Sequence, residues 1–338
     1  MKRRRRPVAC DAVSRRRPIP ARSALLGVVL AIVLVAVGPL GVGRTSGAAE
    51  AEATPDPTPE ASDELSIPQA LVLGVVEGVT EYLPISSTGH LLVAERMMGV
   101  GQTEQTKDAI NSYTVVIQVG AILAVLLLFR SRVAQLLAGL VGRDEQGRQL
   151  LIRLVLAFLP AAIVGLALGD VIESKLLATG PVVVAWIVGG IGILAVAHRF
   201  RDAESGVPLE ALGNREALII GCAQALALWP GVSRSLVTIV AALLVGMSLA
   251  AAVEFSFILG LATLGAATVF ALSRSGGEIV DVFGWTSPLV GVAAALVSAL
   301  VAVKWMVGYL QRHDLSVFGW YRIAAGLVTV ALLVTGAI

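Results

Sequence analysis

The chain has 338 residues, 56% of them hydrophobic and 15% charged, with a mean hydropathy of +0.83. A soluble globular domain carries about 25% charged residues, and several windows here approach the ~20 apolar residues that cross a bilayer as a helix, so a soluble fold is excluded. The net charge of +2 hides an uneven distribution, because nine of the 26 Lys and Arg lie in the first 22 residues. The two cysteines, Cys10 and Cys222, provide neither a disulfide framework nor a metal-ligand spacing.

Residues 1–22 read as a basic cytoplasmic tail, and 23–43 as an apolar segment long enough to span. A basic flank before an apolar run, followed by Ser46-Gly47-Ala48-Ala49, fits a cleaved signal peptide. An uncleaved signal anchor fits as well, and both put the Pro-, Ala- and acid-rich linker 44–65 outside. The membrane-embedded domain, 66–338, opens on Ser66-Ile67-Pro68, a helix-start pattern.

From there the apolar segments run roughly over 67–83, 85–99, 111–129, 151–169, 181–198, 217–229, 231–247, 249–271, 288–310 and 320–337. Four are too short or too polar for ordinary spans. They form two pairs, each broken at a proline, Pro84 and Pro230. That is the pattern of a re-entrant hairpin, since irregular backbone at membrane depth survives only where protein or a wet cavity covers it. With the linker outside and each hairpin returning to its own side, Arg130, Arg132, Arg143 and Arg148 fall inside. So do Arg199, Arg201, Arg215 and Arg312, while the C-terminus falls outside. Counting either hairpin as a full span would invert every loop after it.

The hairpins resemble one another. Gly74-x-x-Glu77 precedes Pro84-Ile-Ser86-Ser87-Thr88, and Gly221-x-x-Gln224 precedes Pro230-Gly-Val-Ser233-Arg234-Ser235, with an offset of one residue. Three spans follow each hairpin, and that odd number turns the second upside down. The expected fold is thus an all-α polytopic membrane protein, an inverted-topology repeat with two re-entrant helical hairpins and about six core transmembrane helices, plus the extra N-terminal apolar segment. Repeat one covers about 66–198 and repeat two about 215–338. Such repeats bring discontinuous helices tip to tip near the midplane, a design known chiefly from transporters.

Ionisable residues inside a membrane are candidates for function. Glu77 and Glu81 share a helix face, where two like charges invite a divalent cation, a shared proton or an arginine. The plainer reading is a structural Glu–Arg pair pinning the repeats together. Ser86-Ser87-Thr88-Gly89 and Ser233-Arg234-Ser235 each begin a helix, where free N–H groups and the helix dipole can cradle phosphate and Arg234 can clamp it. Ordinary N-capping is the alternative for the serines. His90 lies one turn into its helix as a candidate general acid or base, or as a structural hydrogen-bond partner. His198 and His313 read as surface residues of inside loops.

At these residues the chain resembles the undecaprenyl-diphosphate phosphatase family, also called the bacitracin-resistance family. The stretches that carry the resemblance are Leu73–His90, Val115–Val125, Gln224–Ser235 with Thr238, Glu254-Phe-Ser-Phe257 and Phe318-Gly-Trp-Tyr-Arg-Ile323. One departure is Ile258–Gly265, which lacks the proline usual in the family a few residues after Glu-Phe-Ser-Phe.

The resemblance implies a bacterial inner-membrane hydrolase, multi-pass, with its site open to the outer face and a divalent cation, Mg2+ or Ca2+, in support. It would convert undecaprenyl diphosphate to undecaprenyl phosphate and inorganic phosphate, recycling the lipid carrier of peptidoglycan synthesis and conferring bacitracin resistance. The expected catalytic set is Glu77, Glu81, Ser87, His90 and Arg234, with Glu77 and Glu81 also the metal ligands. The expected diphosphate-binding set is Ser86, Thr88, Gln224, Gly231, Ser233, Ser235 and Thr238. The partners are the polyprenyl diphosphate and membrane lipids, with no nucleic acid, and a homodimer is left open. Ser87 with His90 as proton partner and a water activated by Glu81 are both open as the nucleophile. A lipid-phosphate flippase using the same basic pocket is the main alternative function, ahead of an inactive relative kept for bacitracin tolerance.

Overall fold

The computed structural model describes residues 65–101, 104–197 and 206–338, with side chains at all of these except 104, 105, 108, 173 and 272–282. They fall in one compact unit, Pro59–Ile338. The basic tail, the segment 23–43 and the linker to residue 64 lie outside them, as do His198, Arg199 and Arg201.

Among the described residues there is no strand: helices are joined by turns and short loops, with one isolated bridge between Val207 and Met247. In chain order the helices are α1 (Ile67–Thr80), α2 (Ser87–Met98), α3 (Glu104–Leu128), α4 (Arg130–Leu140), α5 (Glu145–Leu176) and α6 (Thr179–Ala197). They continue with α7 (Asn214–Gln224), α8 (Arg234–Leu244), α9 (Leu249–Phe283), α10 (Thr286–Leu310) and α11 (Ser316–Val334). Six stretches are long and apolar enough to cross a membrane, all or part of α3, α5, α6, α9, α10 and α11. These are the six spans expected. The helices overrun the apolar windows, most of all α5 and α9, because hydrogen-bonded turns continue through charged residues where the apolar pattern stops. The loop after residue 129, expected inside, likewise contains a helix, α4, folded back on α5 with Gly139 and Gly147 in backbone contact.

Local chemistry explains the short helices. Gln69 Oε1 accepts from the Ser66 N–H at 3.0 Å and from its hydroxyl at 2.7 Å, capping α1. The chain then breaks over residues 81–86, where Pro84 has no N–H to continue a helix. The second hairpin passes from α7 through a 3-10 turn, Ala225–Leu228, to its own break. Both breaks end alike: Ser86 at φ +75° and Ser233 at φ +74° are the two non-glycine residues with positive φ among those described. Such backbone is costly for a residue with a Cβ and persists only where the surroundings hold it. Gly74, Glu77 and Ser86 stand in the same register as Gly221, Gln224 and Ser233, so only the proline carries the offset.

Packing is reciprocal. The helix α1 packs on α10 and α7 on α5, so each hairpin lies against the second span that follows the other. The first spans, α3 and α9, pair with each other, and so do the third spans, α6 and α11. Close approach is set by small residues, as membrane helices require. A Cβ at Gly74 would meet the Gly291 backbone, and one at Gly78 the backbone of Ala295 and the Ser298 hydroxyl.

Candidate active site

The hairpin tips meet in the interior, where α2 starts at Ser87 and α8 at Arg234. Ser87 Oγ donates a short hydrogen bond to Glu81 Oε2. The other oxygen of that carboxylate, Oε1, lies 2.7 Å from Arg234 Nη2. Arg234 also donates from Nη1 to the Ser256 carbonyl at 3.3 Å, and its guanidinium sits over the Tyr82 ring, 5.3 Å from the centroid. Tyr82 is held edge-on against Phe257. A Cβ at residue 260 would fall on Arg234, so Gly260 leaves the guanidinium its place. A hydroxyl, a carboxylate and a cation thus form one chain across the two hairpins.

A cavity of about 230 Å³ opens beside this chain. Glu81, Ser86, Ser87 and Thr88 line it from the first hairpin, and Gln224, Gly231, Ser233 and Arg234 from the second. Gln224 Nε2 donates to the Ala157 carbonyl at 3.3 Å, which fixes the amide so that Oε1, buried and without a partner, is the acceptor left over. Two polar residues that the sequence reading missed also line the cavity: Gln118 on α3 and Thr263 on α9. Gln118 lay in a quoted motif, and a lone amide in an apolar span was its signal.

Other expected residues stand elsewhere or, like Ser233, spend their side chains on the fold. Ser235 Oγ donates to the Leu83 carbonyl at 2.9 Å, stitching the second tip to the first. Ser233 Oγ caps α8 by accepting from the Leu236 N–H at 3.3 Å. Thr238 Oγ1 bonds the Arg234 carbonyl at 2.8 Å and Ser256 Oγ at 2.6 Å, inside the α8–α9 contact and off the cavity. His90 turns from Ser87: Nδ1 meets the Ser86 carbonyl at 2.7 Å and Nε2 the Tyr321 hydroxyl at 2.8 Å, with the Trp186 ring tilted against it at 4.5 Å. Tyr321 and Arg322, in the closing motif, reach the tips from α11. An arginine in a span was the signal for the second, and only its place in that motif marked the first.

Glu77 lies one helical turn before Glu81, fully buried, with no partner for either oxygen. An ionised carboxylate in that state is costly, so a proton or a cation must accompany it. Glu81 spends both oxygens on the protein. Among the described residues no three His, Cys, Asp or Glu side chains form a closed metal cage. The Glu77 carboxyl is free but does not line the cavity. A cation that draws most of its shell from phosphate and water, as magnesium does with one or two carboxylates, would need that carboxyl to turn toward the cavity.

Fold and site together define a polytopic α-helical membrane protein in which serine, carboxylate and arginine converge on an intramembrane cavity. Residues 70–328 match the family described as "Bacitracin resistance protein BacA", and the chain belongs to that family. It is 44% identical over 266 residues to a protein of Sorangium cellulosum named "Undecaprenyl-diphosphatase", covering 78% of this chain and 85% of that one. It is 43% identical over 277 residues to "Undecaprenyl-diphosphatase 2" of Rhodospirillum rubrum, covering 82% and 98%. A third relative, "Undecaprenyl-diphosphatase" of Methylococcus capsulatus, is 43% identical over 268 residues, 78% and 93% of the two chains.

Proposed function

We propose that the chain hydrolyses undecaprenyl diphosphate with one water, giving undecaprenyl phosphate and inorganic phosphate, in the cavity between the hairpins. The names of its relatives supply the substrate. The observation that carries the assignment to this cavity is the Ser87 hydroxyl bonded to a carboxylate that is itself paired with Arg234. In this reading the reaction returns the lipid carrier to peptidoglycan synthesis and confers the bacitracin resistance for which the family is named. The charge pattern of the loops supports the topology with the 66–338 domain entering from outside, and the family resemblance implies a site open to the outer face of the inner membrane.

The serine route fits this arrangement. Glu81 takes the proton of Ser87 as its oxygen attacks the terminal phosphorus, and undecaprenyl phosphate leaves. Glu81 gives that proton to the departing undecaprenyl phosphate, accepts another from the water that attacks the phosphoserine, and returns it to Ser87 Oγ as phosphate leaves. Arg234 meets the charge that builds on the phosphoryl oxygens, with N–H groups at the starts of α2 and α8. Glu81, not His90, is hydrogen-bonded to the attacking hydroxyl, which favours the carboxylate as base. Glu77 does not line the cavity and would have to turn toward it to hold a divalent cation together with the diphosphate; such a cation would supply further neutralisation of phosphate charge.

The test is phosphate release by purified protein from undecaprenyl diphosphate, with and without EDTA. Ser87→Ala and Glu81→Gln are expected to lower the rate by at least about 100-fold, and EDTA to lower it reversibly. Full activity of Ser87→Ala would shift the attack to a water activated by Glu81. Unchanged release by both variants would remove the site, and no release by the wild type would favour the flippase.

A further inference from the structure

Arg322 is the largest buried charge outside the chain of contacts just described. It sits in the second turn of α11, a membrane span, with 0% of its surface exposed. No carboxylate among the described residues pairs with it. Its guanidinium donates instead to four carbonyls: Ala185 and Gly231 from Nη2 at 2.8 Å each, Trp186 from Nε at 3.4 Å and Pro84 from Nη1 at 3.4 Å. A Cβ at residue 189 of α6 would occupy the place of Nη2, so Gly189 is what admits the side chain.

Two of those carbonyls belong to the breaks. Pro84 lies two residues before Ser86, and Gly231, on the cavity wall, lies two before Ser233. Drawing both carbonyls onto one guanidinium turns them from the cavity and helps to hold the positive-φ serines. The N–H ends of α2 and α8 are then left as the backbone groups that a phosphate would meet.

The charge balance points the same way. Glu81 and Arg234 neutralise one another, and Glu77 brings no positive charge. A diphosphate is multiply anionic, so that pair offers it no net attraction. Arg322 stands one residue behind the wall, and in a medium of low dielectric its charge acts over that distance. Carbonyl dipoles satisfy its N–H groups but do not cancel its charge, and an uncompensated buried ion is expensive. A brace alone would need no net charge.

We propose that Arg322 is a positioning residue whose unpaired charge is balanced by the bound diphosphate, while its hydrogen bonds shape both phosphate-facing breaks. This rests on the diphosphatase reading for its substrate. Its anion chemistry can be tested without turnover, on purified full-length wild type, Arg322→Met, Arg322→Lys and Gly189→Ala. Thermal stabilisation by inorganic pyrophosphate and by phosphate would be measured beside phosphate release from undecaprenyl diphosphate.

Arg322→Met is expected to weaken the response to pyrophosphate by at least about tenfold, and the response to phosphate less, with a matching rise in KM. Arg322→Lys should recover most of the pyrophosphate response but not kcat. A purely structural brace would lower the melting midpoint and leave the pyrophosphate-to-phosphate ratio untouched. That outcome, or wild-type pyrophosphate binding by Arg322→Met, overturns the proposal. Should Arg322→Met fail to fold, Gly189→Ala decides. It displaces the guanidinium but keeps its charge, so kcat should fall with pyrophosphate binding retained, and an unchanged kcat overturns the idea. If the wild type releases no phosphate yet binds pyrophosphate through Arg322, the hydrolase reading falls and this one stands.

Discussion

Both nitrogens of His90 are engaged away from the cavity, so its influence passes through the Ser86 carbonyl and the Tyr321 hydroxyl. His90→Ala and Tyr321→Phe should therefore both slow phosphate release, and both by less than Glu81→Gln, in parallel kinetic assays. Tyr82 acts on Arg234 in another way, since a cation over an aromatic face is worth about 0.5–2 kcal/mol. Tyr82→Leu should lower kcat/KM by roughly 2- to 30-fold, whereas Tyr82→Phe, which keeps the ring, should stay near wild type. A Tyr82→Leu enzyme with unaltered kcat/KM would remove the ring from any role in holding the guanidinium. Glu81, Ser87 and Arg234 were legible in the sequence because polar groups stand out in apolar helices. The partner of His90 was not, because it lies 231 residues away and only the folded chain chooses between a carboxylate and a phenol.

The short helices owe their position to glycine as much as to proline. On α1, Leu73, Gly74, Glu77 and Gly78 face inward, while Leu71, Val72, Val75 and Val79 face outward. Replacing Gly78 with valine forces a side chain into the α10 backbone, an overpacking that costs about 1–3 kcal/mol or more. Thermal unfolding in detergent should show a clear loss for Gly78→Val, and none for Val79→Leu on the outer face. Equal midpoints for the two would mean that α1 does not rest on α10 as described. The sequence showed where these helices break, since Pro84 and Pro230 are unmistakable. It did not show where the longer ones end. The membrane helices α5 and α9 run on through polar residues that carry no hydropathy signal, and α4 looked like a charged loop because Arg130 and Arg132 open it and it is too short to span.

Across the whole molecule, the pairing of α1 with α10 and of α7 with α5 is what an inverted repeat predicts, and it supports opposite insertion of the two hairpins. Sidedness can be read with single cysteines in a chain whose Cys10 and Cys222 are replaced. Ala178→Cys should react with a membrane-impermeant maleimide from outside, whereas Arg143→Cys and Arg312→Cys should react only after the membrane is opened. Outside labelling of either arginine position would invert the topology. The same pairing has a consequence for synthesis. The inner faces of α1 are covered by α10, whose residues leave the ribosome more than 200 positions later, and at about 5–20 residues per second that is a wait of roughly 10–40 s. During that interval a helix bearing Glu77, with Glu81 just past its end, stands in the membrane without its neighbour. Lipid, the insertion machinery or another nascent helix must shelter it until the second half arrives.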